Sequence, residues 1–146
     1  MSQRAAKSSR RRITWTAKVS GVDKEFTITF MSGPLDGRTV HFEQPEIGDE
    51  LVLNIGRREG CDVHLPFDNQ VSRLHARLGC LCAPVTATES VADPFLLSFW
   101  LEDMHSRNGT YVERDKQAIS GRTSLRPGSL FRIGRTWMRL DEPLSL

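Results

Sequence analysis

From Glu25 the chain alternates apolar and polar positions with a period of two: Phe26, Ile28 and Phe30 against Glu25, Thr27 and Thr29. That is the pattern of a strand with one face buried. The segment Ser32-Gly33-Pro34-Leu35-Asp36-Gly37 reads as a turn, after which Val40 and Phe42 resume the alternation. Further short strands are predicted at Leu51 to Ile55, Val63 to Leu65, Ala76 to Cys82, Phe95 to Glu102, Thr110 to Val112, Leu130 to Ile133 and Thr136 to Leu140. Gly56, Gly60, Pro66, Gly109, Gly121, Pro127-Gly128 and Gly134 punctuate them. No apolar helical face runs for ten residues, so the pattern predicts an all-β protein, an antiparallel β-sandwich. The polar stretch from Ala83 to Pro94 stands out as a long loop, read as decoration.

A chain of 146 residues holds about one domain. With 38% hydrophobic and 26% charged residues it has the composition of a globular protein. It contains no apolar run long enough to cross a membrane as a helix. Charge divides the chain more sharply than composition does. Residues 1–22 carry six basic side chains (Arg4, Lys7, Arg10, Arg11, Arg12, Lys18) and no acid. The remaining residues hold 14 basic and 18 acidic groups, the difference from the chain totals of 20 and 18, and so carry a net −4. The chain thus divides into a basic, flexible arm over 1–22, a folded domain over 23–142 and a short tail over 143–146. Trp15 marks where the arm begins to dock. The three cysteines are an odd number, and Cys80 and Cys82 on one strand lie roughly 6 to 7 Å apart, too far for an easy disulfide. With no signal-like apolar segment near the start, a reducing, cytoplasmic setting is expected.

In a sandwich, loops at one end gather residues that are distant in sequence. Three segments meet that description: Gly56-Arg57 after one strand, Gln70-Val71-Ser72-Arg73-Leu74-His75 before another, and Ser106-Arg107-Asn108-Gly109-Thr110 between two more. They supply the guanidinium groups of Arg57, Arg73 and Arg107, the hydroxyls of Ser72 and Ser106, and the amide of Asn108. Guanidinium forks and short hydroxyls match the acceptor oxygens and double charge of a phosphate group. The predicted chemistry is an anion site for phosphate.

The ordered segments LNIGRREGCDVHLPFDNQVSRLHARL, LEDMHSRNGTYV and LRPGSLFRIG resemble the forkhead-associated (FHA) domain family, with its Gly-Arg, Ser-x-x-His and Asn-Gly signatures in sequence. The resemblance runs from about Phe26 to Leu140. It implies a sandwich of about eleven strands that binds phosphothreonine peptides through loops at one end. On that resemblance Arg57 holds the phosphate and Ser72 donates its hydroxyl to it. Arg107 makes a further phosphate or peptide contact, Arg73 flanks the ligand, and Asn108 bonds the peptide main chain. His75 braces the loops, while Gly56 and Gly109 permit tight backbone paths. Tyr111-Val112 continues into Glu113-Arg114-Asp115 instead of a second Asn-Gly turn, which changes the hairpin. Asn69, Gln70 and the loop near Glu113 are expected to shape peptide preference.

The same residues also have plainer readings. Arg58, Arg77 and Arg114 are expected to be solvated, and Asn108-Gly109 is also a type I′ turn dipeptide. His41, His64 and His105 show no metal-ligand spacing with the cysteines, so no metal site and no cofactor are predicted. Ser72, His75 and Asp103 lack the spacing and nucleophile elbow of a hydrolytic triad, and the chain lacks a P-loop, a dinucleotide fingerprint and the kinase signature set, so no enzyme activity is expected. The reading is a phosphothreonine-dependent adaptor in Ser/Thr kinase signalling, its partner a phosphothreonine-containing protein such as a kinase or its substrate, with no membrane and no nucleic acid. The alternative is an FHA scaffold whose pocket is unused or self-occupied, or an anion or nucleic-acid binder acting through the arm. Arg11-Arg12-Ile13-Thr14 marks Thr14 as a site for a kinase preferring basic residues upstream.

Overall fold

A computed structural model describes residues 25–84 and 95–142. The arm, Trp15 and Thr14, the tail over 143–146, and residues 85–94 of the long loop lie outside the described residues. Ten strands are described: β1 (Glu25–Phe30), β2 (Thr39–Glu43), β3 (Glu50–Gly56), β4 (Val63–His64), β5 (Ala76–Pro84), β6 (Phe95–Asp103), β7 (Thr110–Val112), β8 (Thr123–Leu125), β9 (Leu130–Ile133) and β10 (Thr136–Asp141). They form two five-stranded sheets, ordered β2-β1-β10-β9-β7 and β4-β3-β5-β6-β8, which is the expected sandwich. The pairs are antiparallel except β3 with β4, which run parallel.

Alternation builds the core. In β1 the residues Phe26, Ile28 and Phe30 are buried, and in β10 Thr136, Met138 and Leu140 are buried, while their neighbours are only half-covered. Phe26 stacks on Phe42 of its neighbour strand at 5.5 Å between ring centres and meets Phe99 of the opposite sheet edge-on at 5.2 Å. Such large rings each contribute roughly 1.5–3 kcal/mol on burial, so these three rings hold the two layers together. β8 is absent from the sequence reading because only Leu125 of its three residues faces inward, too little to register as a period. β5 runs two residues further than predicted, since pairing with β6 continues to Pro84 opposite Phe95.

On the outer face of the second sheet, Gly79 lies directly opposite Trp100. A methyl group at residue 79 would overlap the indole ring, so only a glycine lets the ring lie flat on the sheet. The indole Nε1–H donates to Glu50 Oε2 at 2.6 Å, and the Arg122 guanidinium carbon sits 3.8 Å above the ring centre. Arg122 and Arg77 both approach Glu102 at 3.5 Å, so Arg77 is pinned to the sheet instead of being freely solvated. Gly79→Ala is expected to lift Trp100 and cost about 1–3 kcal/mol. Urea unfolding measures it; an unchanged midpoint would refute the packing argument.

Candidate functional site

The end of the sandwich that carries the site is assembled by backbone extension. Beyond the last β3–β5 pair, Arg57 N–H donates to the Ser72 carbonyl at 3.1 Å, Arg58 N–H donates to the Arg73 carbonyl at 3.1 Å, and His75 N–H donates to the Ile55 carbonyl at 2.9 Å. Gly56 makes this possible, because a Cβ there would overlap the Arg73 carbonyl oxygen. The loop after Arg57 is closed by His64, whose Nε2–H donates to the Arg57 carbonyl at 3.1 Å, and by Asn54 N–H on Asp62 Oδ2 at 2.8 Å. His64 therefore has a bracing role that its sequence spacing does not reveal.

His75 joins the remaining loops. It is fully buried; Ser72 N–H donates to its Nδ1 at 3.0 Å and its Nε2 donates to the Gly109 carbonyl at 2.9 Å. A nitrogen that accepts a backbone N–H carries no proton, so these two bonds fix the neutral tautomer with its hydrogen on Nε2. Burial lowers the His75 pKa, against the upward pull of the Gly109 carbonyl and of Asp103 and Asp68. The imidazole bonds the Ser72 backbone and leaves its hydroxyl alone, so Ser72, His75 and Asp103 lack the nucleophile-to-base bond of a triad.

Two acids, Asp103 half-buried and Asp68 buried, tie the loops from within. Asp103 accepts from Ser106 Oγ at 2.6 Å, Ser106 N–H at 3.0 Å and Thr110 Oγ1 at 2.7 Å. Burial pushes its pKa up, but the bonds from Ser106 and Thr110 outweigh it and hold the carboxyl below its ordinary value. Asp68, which is buried, accepts from Gln70 N–H at 3.0 Å, Arg135 N–H at 2.8 Å and Thr136 Oγ1 at 2.7 Å, tying the Ser72 loop to the β9–β10 turn. At that turn Gly134 has φ +62, and a Cβ there would press on Val71 and Asp68.

What remains facing outward is an open pocket of about 270 Å³ lined by Arg57, Asn69, Gln70, Val71, Ser72, Arg73, Arg107 and Asn108. All five ligand residues predicted from sequence line it, as do Asn69 and Gln70, and none of the eight is acidic. Arg57 is anchored through Nε–H to the Val71 carbonyl at 2.9 Å, which aims the rest of the guanidinium. The Ser72 hydroxyl accepts from Arg107 N–H at 3.0 Å, leaving its own hydrogen to donate. Asn108 Nδ2 donates to the Gln70 carbonyl at 2.8 Å and so spans two lining loops. Ser106, grouped with the donors on sequence grounds, faces inward: its hydroxyl is spent on Asp103 and on accepting Gly109 N–H at 2.9 Å. Gly109 takes φ +84 but Asn108 has no positive φ, so the pair forms no type I′ turn; the segment crosses between sheets instead of closing a hairpin. Glu113 adopts φ +53 and its carboxylate accepts from Leu130 N–H at 3.0 Å, which closes the altered hairpin locally. Among the described residues no group of His, Cys, Asp and Glu side chains is arranged to hold a metal.

Because the folded state lowers the His75 pKa, the unfolded chain takes up a proton more readily as pH falls below about 6.5. Stability should therefore fall with pH in that window, with a slope of up to about 1.4 kcal/mol per pH unit for this one proton. In His75→Gln that contribution should vanish. Urea unfolding at stepped pH checks this, and identical slopes in the two proteins would contradict it.

Comparison with curated proteins gives no match. Among solved structures, the FHA domain of the Chlamydia trachomatis protein CT664 aligns with a TM-score of 0.59 at 21% identity, covering 82% of this chain and 99% of that one. The yeast Dun1 FHA domain, solved in complex with a doubly phosphorylated phosphothreonine peptide derived from Rad53, aligns with a TM-score of 0.62 at 20% identity, covering 84% and 79%. An FHA domain from a structural and functional analysis of phosphothreonine-dependent interactions aligns with a TM-score of 0.55 at 24% identity, covering 82% and 99%. These likenesses establish the fold. The family model for the FHA domain matches residues 53–134, more than half of the chain and the whole stretch that builds the pocket. The chain belongs to the FHA domain family.

Proposed function

We propose that the protein is a non-catalytic adaptor that binds phosphothreonine-containing segments of a partner protein, and that it serves Ser/Thr kinase signalling. The observation that carries this reading is the acid-free pocket itself, where Arg57, Arg73 and Arg107 converge with the Ser72 hydroxyl. A phosphate of nearly two negative charges and three acceptor oxygens suits those donors. Membership in the FHA family supports the same ligand class, as does the phosphothreonine peptide bound by the yeast Dun1 domain.

In this reading Arg57 forks onto the phosphate while Val71 holds its Nε. Ser72 adds its hydroxyl hydrogen, and Arg107 and Arg73 close the sides. Asn108, strutted on the Gln70 carbonyl, offers its amide oxygen and second N–H to the peptide main chain. Binding needs little rearrangement, since the loops are already bonded to one another, and preorganisation lowers the entropic cost of association. Asn69 and Gln70 border the pocket and face the residues that flank the phosphothreonine.

Removing one charged hydrogen-bond partner of a phosphate costs about 1.5–3 kcal/mol. Arg57→Ala should thus weaken binding of a phosphothreonine peptide roughly ten- to 150-fold. Ser72→Ala should weaken it less. Fluorescence anisotropy with a labelled peptide measures both, and wild-type affinity in both variants would place the site elsewhere.

A further inference from the structure

The end of the sandwich opposite the pocket is acidic and partly apolar. The β2–β3 connection places Glu46, Ile47 and Asp49 there, with Gly48 N–H on the Cys82 carbonyl at 2.7 Å and Cys82 N–H on the Asp49 carbonyl at 3.1 Å. Glu50 pairs with Leu81 across β3 and β5, and Leu96 pairs with Ala83 across β5 and β6. Ile47, Leu81 and Leu96 are 50%, 37% and 61% exposed, a run of apolar side chains reaching from this rim onto the outer sheet face beside Trp100. Glu46, Asp49, Glu50 and Glu142 are all exposed around them. Their field reaches inward: burial first, then Cys82, Glu142 and Glu50, push the Cys80 thiol up to about 12, and burial with Asp49 raises Cys82. Of the cations at this end among the described residues, Arg139 is committed to Asp141 at 2.9 Å and Arg126 stands in the turn ahead of β9.

The chain enters the fold at the same end. Glu25, the first described residue, lies opposite Glu43 in the β1–β2 pair, and Glu43 is seven residues before Glu50. The β2–β3 connection shows that this many residues bridge from the first sheet to the acidic rim. Trp15 is ten residues before Glu25, a reach of about 33 Å when extended, which is ample. Residues 1–22 carry six positive charges with no acid, and Trp15 is their one aromatic, while the end where the chain enters holds exposed carboxylates around exposed Ile47 and Leu81.

We propose that residues 1–22 fold back over this acidic end, pairing their basic side chains with Glu46, Asp49, Glu50 and Glu142 and seating Trp15 on the apolar face at Ile47 and Leu81. The tether makes the contact intramolecular, at an effective concentration in the millimolar range. The arm is thereby held at the pole away from the phosphate pocket, which stays open to its ligand, and its charge is turned inward instead of toward nucleic acid.

The test is zero-length carbodiimide coupling of lysine amines to carboxylates in the full chain, mapped by mass spectrometry. Lys18, with Lys7, should couple to Glu46, Asp49, Glu50 or Glu142 within the monomer, and the yield should collapse when salt is raised to about 0.5 M. In E46K/D49K, which alters only exposed side chains, the remaining Lys18 coupling to Glu50 and Glu142 should fall at least about fivefold, since the rim's charge is reversed. Hydrogen exchange at residues 47–50 and 81–83 should quicken in that variant while the pocket loops stay unchanged. The proposal is overturned if the yield is the same in both proteins, if Lys18 couples equally to Glu59 or Asp115 elsewhere on the surface, or if coupling appears only between two copies of the chain.

Discussion

The site rests on a single neutral imidazole. His75 accepts from the Ser72 backbone and donates to the Gly109 carbonyl, so one buried ring fixes two loops that are 34 residues apart at the far bond. Protonation would destroy the first of these bonds by removing its acceptor. The fold meets that constraint by burying the ring, which keeps it uncharged. Gly56 then brings the Arg73 backbone close enough for Arg57 to hang over the same loop, and Arg107 N–H reaches the Ser72 hydroxyl. The spatial relation of the five predicted ligand residues is thus set by hydrogen bonds to the loop backbones around His75, with little left to side-chain freedom.

Electrostatic design follows the same logic. An arginine-rich pocket needs acids nearby for structure and must keep them from neutralising its cations. Asp68 and Asp103 are turned inward and saturated by neutral donors: backbone N–H groups and the hydroxyls of Ser106, Thr110 and Thr136. Neither is bonded to Arg57, Arg73 or Arg107, which remain available to an anion. Glu46, Asp49, Glu50 and Glu142 stand exposed at the opposite pole, where the basic N-terminal segment joins the fold. The domain is therefore polarised along its length, cationic at the loops and anionic where the strands β1 and β10 begin and end.

Much of this was legible in the sequence because period-two alternation and glycine punctuation are local signals. β1, β3, β9 and β10 announce themselves through buried residues at every second position, β6 through a dense apolar run, and Gly-Arg, Ser-x-x-His and Asn-Gly mark the loops that meet. What sequence could not disclose were relations set by tertiary structure. Whether a serine hydroxyl faces solvent or a buried acid depends on the partner: Ser72 turns outward and Ser106 turns onto Asp103, though both are serines in polar loops. Asp68 looks like any loop aspartate until Arg135 and Thr136, far along the chain, arrive beside it. The three-residue β8 carries too few residues to show a period, and nothing local discloses that the two-residue β4 pairs parallel to β3.

The central claim is that the pocket behind Arg57 reads a phosphothreonine. The most direct measurement is an amide chemical-shift titration of the full chain with a phosphothreonine peptide, run beside matched phosphoserine and unphosphorylated peptides. The account predicts saturable shifts centred on Arg57, Ser72, Arg73, Arg107 and Asn108 with the phosphothreonine peptide, far weaker ones with phosphoserine and none without phosphate. Shifts confined to the acidic pole, or equal shifts with all three peptides, would contradict it.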